Sequence, residues 1–269
     1  MAPSKTKSTP VTPHDIKWYG WQPDLPDQRD FMYAAPAPFQ TNLPASINLT
    51  AQCPPVYDQG QLGSCTANAI AGAIEFDQMK QGLKPFVPSR LFIYYNERVI
   101  ENTVNSDAGA QIRDGIKTVA AQGAPPETDW PYIISKFNKK PPVKAYTDAK
   151  ADVVTLYQRL IQDVNTMRGC LASGYPFVFG FTVYPAFEGA AVAKTGIVPM
   201  PTAGEKPVGG HAVMAVGYND ASRQFIVRNS WAADWGLKGY FKIPYAYLTD
   251  TKYASDFWTI RSVEEGATN

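Results

Sequence analysis

The chain has 269 residues, 45% hydrophobic and 18% charged, and its formal net charge is +1. That length suits one large domain or two lobes around a shared core, and a charge so near zero gives no sign of the clustered basic surface that nucleic acid or an anionic membrane requires. Three cysteines exclude a disulfide framework, and no apolar run approaches the ~18 residues that cross a bilayer.

Residues 1–42 read as an N-terminal extension rich in Pro, Asp, Gln and Thr. It lacks the apolar stretch of a secretory signal, so the expected location is the cytoplasm. Composition alone describes a disordered leader, and His14 is expected to be an exposed residue within it. Trp18, Tyr19, Trp21, Phe31 and Tyr33 argue against disorder, because rings of this kind offer apolar area to bury. Pro23, Pro26, Pro36 and Pro38 oppose a helix. The expectation is an extended strap, anchored by Asp27, Arg29 and Asp30, that packs against the rest of the molecule.

A helix is expected from Ser64, a candidate N-cap. Ala67, Ile70, Ala71, Ile74 and Met79 follow at helical spacing until Gly82 and Pro85 stop it. Its many small residues suit burial on several sides. Further helices are expected from Pro88 to about Ile100 and from Ile112 to Gln122, where Gly123 ends the pattern. Two proline-rich turns follow, and the second, Lys139-Lys140-Pro141-Pro142, marks the crossing between lobes. A short helix over Val164 to Ala172 precedes Phe177, Phe179, Phe181 and Val183, whose period of two is that of a strand. Strands are also expected over Ala212 to Tyr218, Gln224 to Arg228 and Gly239 to Ile243. Helices in the first half and strands in the second make an α+β chain.

The chemistry concentrates in three segments. Asp58-Gln59-Gly60-Gln61-Leu62-Gly63-Ser64-Cys65 brings a thiol to a predicted helix N-terminus. Unpaired amides and the helix dipole favour an anion there, and a thiolate is the form that attacks carbonyls. An isolated free cysteine is most often an inert core thiol; the Gly-Ser-Cys turn with Gln59 ahead of it overrides that reading. Gln59 offers an amide N–H to a developing oxyanion, with the Cys65 N–H as second donor. Gly209-Gly210-His211 places an imidazole before an apolar strand, and only one other histidine exists in the chain. Asn229-Ser230-Trp231 follows the next strand. Asn229 can fix the imidazole ring without adding charge, although Asn also commonly closes a strand. Trp231 and Trp235 can wall the pair from water.

These residues resemble those of the papain-like cysteine peptidases, and most nearly the compact bacterial members with a short N-terminal extension. The 146 residues from Cys65 to His211 match the family's spacing of ~130–150. The likeness runs from about Leu43 to Phe257 and includes Trp130-Pro131-Tyr132. The resemblance implies Cys65 as nucleophile, His211 as base, Asn229 as its orienting group and Gln59 as oxyanion donor, with no metal or cofactor. It implies a helical left lobe over approximately 51–140 and a β-barrel-like right lobe over approximately 141–256. The whole peptidase domain would span 43–269, its C-terminal segment returning across the lobes and the cleft lying between them. Ala108 and Gly109 are the counterpart of the glycine-rich strand that pairs with substrate. Gly63, Gly210, Trp231 and Trp235 complete the expected substrate surface. Leu62 stands where many relatives have a disulfide-bonded cysteine, which implies independence from that bridge.

The implied activity is a monomeric thiol endopeptidase acting on peptide or protein. A transacylase or isopeptidase would use the same thioester, and a silent peptide-binding module would share the fold. The intact set of four residues speaks against the silent module. The leader is expected to be an intramolecular inhibitor in or beside the cleft. Cys53 and Cys170 are expected to be inert core thiols, with a disulfide between them as the competing reading.

Overall fold

In the computed structural model, residues 19–265 are described. His14 and Trp18 lie outside them. The elements in chain order begin with β1 (Trp21–Gln22), α1 (Pro38–Thr41), β2 (Ser46–Asn48), α2 (Cys65–Gln81), α3 (Arg90–Ile100), β3 (Ala110–Gln111) and α4 (Ile112–Gln122). Next come α5 (Val143–Ala149), β4 (Asp152–Arg159), α6 (Val164–Ala172), β5 (Phe177–Val183), α7 (Pro185–Glu188) and α8 (Ala190–Thr195). The chain closes with β6 (Gly209–Asn219), β7 (Gln224–Arg228), β8 (Tyr240–Pro244), α9 (Tyr245–Thr249) and β9 (Ala254–Glu265).

The small-residue signal of α2 has a plain cause. Every residue from Cys65 to Gln78 is buried, so the helix has no solvent face over that length. Close approach is visible at Gly72, where a Cβ would stand 2.7 Å from the Arg228 guanidinium. That buried cation lies over the Tyr57 ring at 4.4 Å and donates to the Pro55 carbonyl at 2.5 Å. Gly82 adopts the left-handed conformation at φ 72° and ends the helix. Ser64 departs from expectation: it occupies the N-cap position without a side-chain cap, because its hydroxyl meets the Tyr132 hydroxyl at 2.5 Å.

Strand order in the main sheet is β4-β9-β5-β6-β7-β8, with β2 added on β6. Its ladders are antiparallel. The pairings among the described residues do not close into a ring, so the right lobe is barrel-like only in its curled, layered sense. β4 and β9 carry weak alternation and are not among the strands expected from sequence. Both faces of β5 are buried: Phe177, Phe179 and Phe181 pack among other rings, while Gly180 faces Trp21. The Pro141-Pro142 run leads into α5, whose Ala145 and Ala149 pack with Phe92 of α3. The chain therefore reaches the sheet at β4.

Candidate active site

Cys65 is the first residue of α2 and has no exposed surface. Backbone N–H groups of Ala212, Gly20 and Thr66 are directed at its sulfur. These favour a thiolate, but burial outweighs them and pushes the thiol up to about 12. Burial thus opposes the anion expected at a helix N-terminus. The physical reason is that Cys65 has no exposed surface, and the amides aimed at its sulfur do not offset that desolvation.

The sulfur's contact with the Ala212 amide puts it beside His211, the third residue of β6. His211 lies within the strand, opposite Phe181, and not ahead of it as its apolar run implied. Its Nε2 is 2.8 Å from Asn229 Oδ1. Asn229 Oδ1 also accepts the Ser230 N–H at 2.9 Å, and the Asn229 N–H donates to Gly239 at 3.0 Å. The Trp231 ring stacks on the imidazole with centroids 5.0 Å apart and planes 26° apart. Trp235 stands edge-on to Trp231, also at 5.0 Å. This shell excludes water, which strengthens the buried His–Asn hydrogen bond.

Gln59 is buried, and its amide is held at both ends. Ser230 Oγ donates to Oε1 at 2.6 Å, while Nε2 donates to the Leu62 carbonyl at 3.0 Å. The Gln59 N–H reaches the Ser230 carbonyl at 2.9 Å. Tyr132 donates to the Gln59 carbonyl at 2.9 Å. Behind this turn, Arg90 donates to the Asp58 carbonyl at 3.0 Å and lies 4.1 Å from the Tyr132 ring centroid. Ser230 and Tyr132 orient the site, and the sequence reading assigned neither of them this task. Ser230 sat visibly between Asn229 and Trp231; Tyr132 gave no signal beyond an aromatic after proline.

Four of the six expected substrate residues meet the leader. A Cβ on Gly20 would lie 1.7 Å from the Gly63 carbonyl oxygen, and one on Gly109 would lie 2.1 Å from the Gly20 oxygen. Gly109 itself has φ +75°, which suits only glycine without strain. The Ala110 N–H donates to Gly20 O at 2.7 Å, and Trp21 pairs in parallel with Ala110. Gln22 Nε2 reaches the Ala108 carbonyl at 2.5 Å. The Trp21 ring lies against Gly210 and Gly180, and the Tyr19 ring stands edge-on to His211 at 6.1 Å. Trp231 stacks on the imidazole, and Trp235 stands behind Trp231.

The strap's anchors differ in part from those expected. Asp30 pairs with Arg113 and with Arg159, the latter at 2.9 Å. Asp27 binds mainly its neighbour Arg29 at 2.8 Å, an exposed pair of little energetic weight. The deeper anchor is Asp24, which accepts the Arg113 N–H at 3.0 Å and the Trp258 indole N–H at 2.8 Å. Trp21 and Tyr33 are buried, whereas Phe31 is 71% exposed. At that exposure the Phe31 ring adds little to docking.

All three cysteines are free, so Cys53 and Cys170 form no disulfide. Burial raises both thiols to about 11. Among the described residues, no group of His, Cys, Asp and Glu side chains could hold a metal ion, and no helix is long and apolar enough to cross a membrane.

A thiol beside an amide-anchored imidazole, with an amide donor at the adjacent turn, is equipped for acyl transfer. The comparisons agree. The profile described as papain family cysteine protease matches residues 43–256. An uncharacterized peptidase C1-like protein of Acanthamoeba polyphaga mimivirus is 50% identical over 221 residues, covering 79% of this chain and 71% of that protein. Chymopapain of Carica papaya is 27% identical over 224 residues, covering 81% of this chain and 58% of chymopapain. The crystal structure of xylellain, a cysteine protease from Xylella fastidiosa, superposes with a TM-score of 0.87 at 43% identity, over 97% of this chain and 100% of that one.

Proposed function

The chain belongs to the papain family of cysteine proteases, and we propose that its four polar site residues divide the hydrolysis of a peptide bond as follows. Cys65 Sγ attacks the carbonyl carbon while its proton passes to His211. Gln59 Nε2–H and the Cys65 N–H take the negative charge that gathers on the carbonyl oxygen. His211 returns the proton to the departing amine, which leaves a thioester on Cys65. Water, deprotonated by His211, then attacks the thioester, and the thiol is released with a carboxylic acid product. Asn229 holds the ring throughout, and no cofactor enters.

The observation that carries this reading is the imidazole's position. One side of His211 adjoins the backbone that touches Cys65, and its Nε2 is fixed by Asn229 at 2.8 Å. In such an arrangement one ring can take the thiol proton and pass it to the leaving amine.

The leader is proposed as an intramolecular inhibitor. Gly20 lies over Cys65 and pairs with the Ala110 amide, and Tyr19 stands against His211. A chain segment there occupies the space in which substrate would reach Cys65. The proposed active unit is a single chain with residues 19–22 displaced.

The test is turnover of a fluorogenic peptide amide by the purified full chain, with labelling by an epoxysuccinyl inhibitor. Release of a free acid and mass-spectrometric label on Cys65 are expected. Label on Cys53 or Cys170 instead would unseat the assignment, and transfer to an added amine in preference to water would replace hydrolase by transacylase.

A further inference from the structure

Asp107 joins the two segments between which Gly20 lies. Its carboxylate accepts the Gly63 N–H, with oxygens at 3.1 and 3.0 Å. The Tyr94 hydroxyl on α3 donates to the same carboxylate and accepts the Gly109 N–H at 3.2 Å. A continuous hydrogen-bonded path therefore runs from the turn two residues before Cys65 to the strand facing it. A charged acceptor on a backbone amide is among the stronger hydrogen bonds.

The loop that carries Asp107 is itself held from α3. Arg98, one turn after Tyr94, is fully buried and stacks on the Tyr94 ring at 4.0 Å. It donates to the Val104 and Ser106 carbonyls, each at 2.9 Å. A buried guanidinium given to loop carbonyls is unfavourable unless every bond is made. Here α3 commits a buried tyrosine and a buried arginine to fixing one short loop. Nothing in the acyl-transfer chemistry requires them.

We infer that Asp107, held by Tyr94 and Arg98, is a positioning residue that sets the gap between the Cys65 turn and the Gly109–Ala110 strand, and so governs binding of extended peptide backbone. The inference rests on the reading of Cys65 as a peptidase nucleophile and adds to it the part that aligns the acyl chain. An extended peptide must present its carbonyl to Cys65 while pairing with the Ala110 amide, as the Gly20 oxygen does at 2.7 Å. Misplacement by about 1 Å at a reacting centre can lower rate about 10²-fold. A minimal substrate that never reaches the strand escapes this constraint.

The experiment compares two substrates in the full chain: an extended peptide amide and a one-residue nitrophenyl ester. The leader competes with both alike, so the ratio of their kcat/KM values is independent of leader docking. Asp107→Ala is expected to lower that ratio at least tenfold, chiefly through KM for the peptide. Asp107→Asn, which keeps an acceptor oxygen, should recover most of it, and Tyr94→Phe should lower it to a lesser degree. The pH profile of Cys65 alkylation by iodoacetamide should keep its shape in all three. An unchanged ratio, or an equal fall for both substrates, overturns the inference and leaves a purely structural role. Should Asp107→Ala fail to fold, the same ratio in Tyr94→Phe decides. A parent protein that hydrolyses neither substrate while Cys65 alkylates normally would instead overturn the peptidase reading, and the inference with it.

Discussion

Gly20→Ala should raise the activity of the full-length chain. The added methyl carbon would lie 1.7 Å from the Gly63 oxygen, 2.3 Å from its carbonyl carbon and 2.8 Å from its Cα. All three are backbone atoms of the turn that carries Cys65, so no side chain can yield. The leader must lift. Lifting forfeits the burial of Trp21, which is 8% exposed in place, and such a side chain contributes about 1.5–3 kcal/mol. It also breaks the Ala110-to-Gly20 hydrogen bond of 2.7 Å, worth about 1 kcal/mol net. The sum, about 2.5–4 kcal/mol, corresponds to a change of about 10²–10³ in the ratio of covered to open molecules. The assay is twofold: initial turnover of a short fluorogenic peptide, and the alkylation rate of Cys65. Both should rise together, because one event frees the cleft and returns the thiol to water. A folded Gly20→Ala protein with the parent's turnover and the parent's alkylation rate would refute the argument.

Cys65→Ala is expected to abolish turnover and epoxysuccinyl labelling together, as measured by product release and intact mass. Gln59→Ala should slow acylation by about 10²–10³ while Cys65 remains alkylatable, since only the charged transition state loses its donor; a wild-type rate on small amides would remove Gln59 from that role. Three free thiols should be counted on denatured, unreduced protein, in keeping with the free state of Cys53, Cys65 and Cys170. Leader docking should weaken as pH rises through about 6. Burial, and next the facing Asp256 charge, raise Asp24 to about 6 against the pull of Arg113 and Trp258. A carboxyl whose docked pKa exceeds its free value takes up a proton on docking, so its contribution is complete below the free pKa near ~3.9 and is lost upward through about 6. The activity of the parent relative to Gly20→Ala should therefore climb from pH 5 to pH 7, and Asp24→Asn should flatten that climb.

What was legible in the sequence followed from the kind of signal each feature leaves. α4, α6, β5 and β7 match their expected bounds because periodicity and punctuation agree there: Gly123 after Gln122, and Asp163 capping α6 through its side chain at 2.9 Å. β9 escaped although it lies between β4 and β5. It is buried along much of its length but broken by register shifts, so no clean alternation marks it. The four polar catalytic candidates were legible because their spacing is held by chemistry: a thiol needs a base, and a base needs an orienting partner. Ser230, Tyr132 and Asp107 were not, since each acts by holding another group. Asp107 follows Asn105-Ser106 with no pattern of its own, and the fold brings the Gly63 amide to it.

Gly20 carries the same argument furthest. A glycine between Tyr19 and Trp21 in a proline-rich leader reads as flexibility. In the structure it is where leader backbone meets the backbone of the nucleophile turn on one side and the approach to β3 on the other. The sequence reading located the leader's apolar payload in its rings, and Trp21 and Tyr33 are indeed buried. Rings supply affinity, but they do not say where a strap lies, because many grooves accept an indole. The absence of a Cβ at Gly20, opposite Gly63 and Gly109, supplies the registration. Three glycines far apart in sequence thus describe one contact. Each is uninformative alone, since backbone packing on backbone leaves no side chain for a pattern to detect.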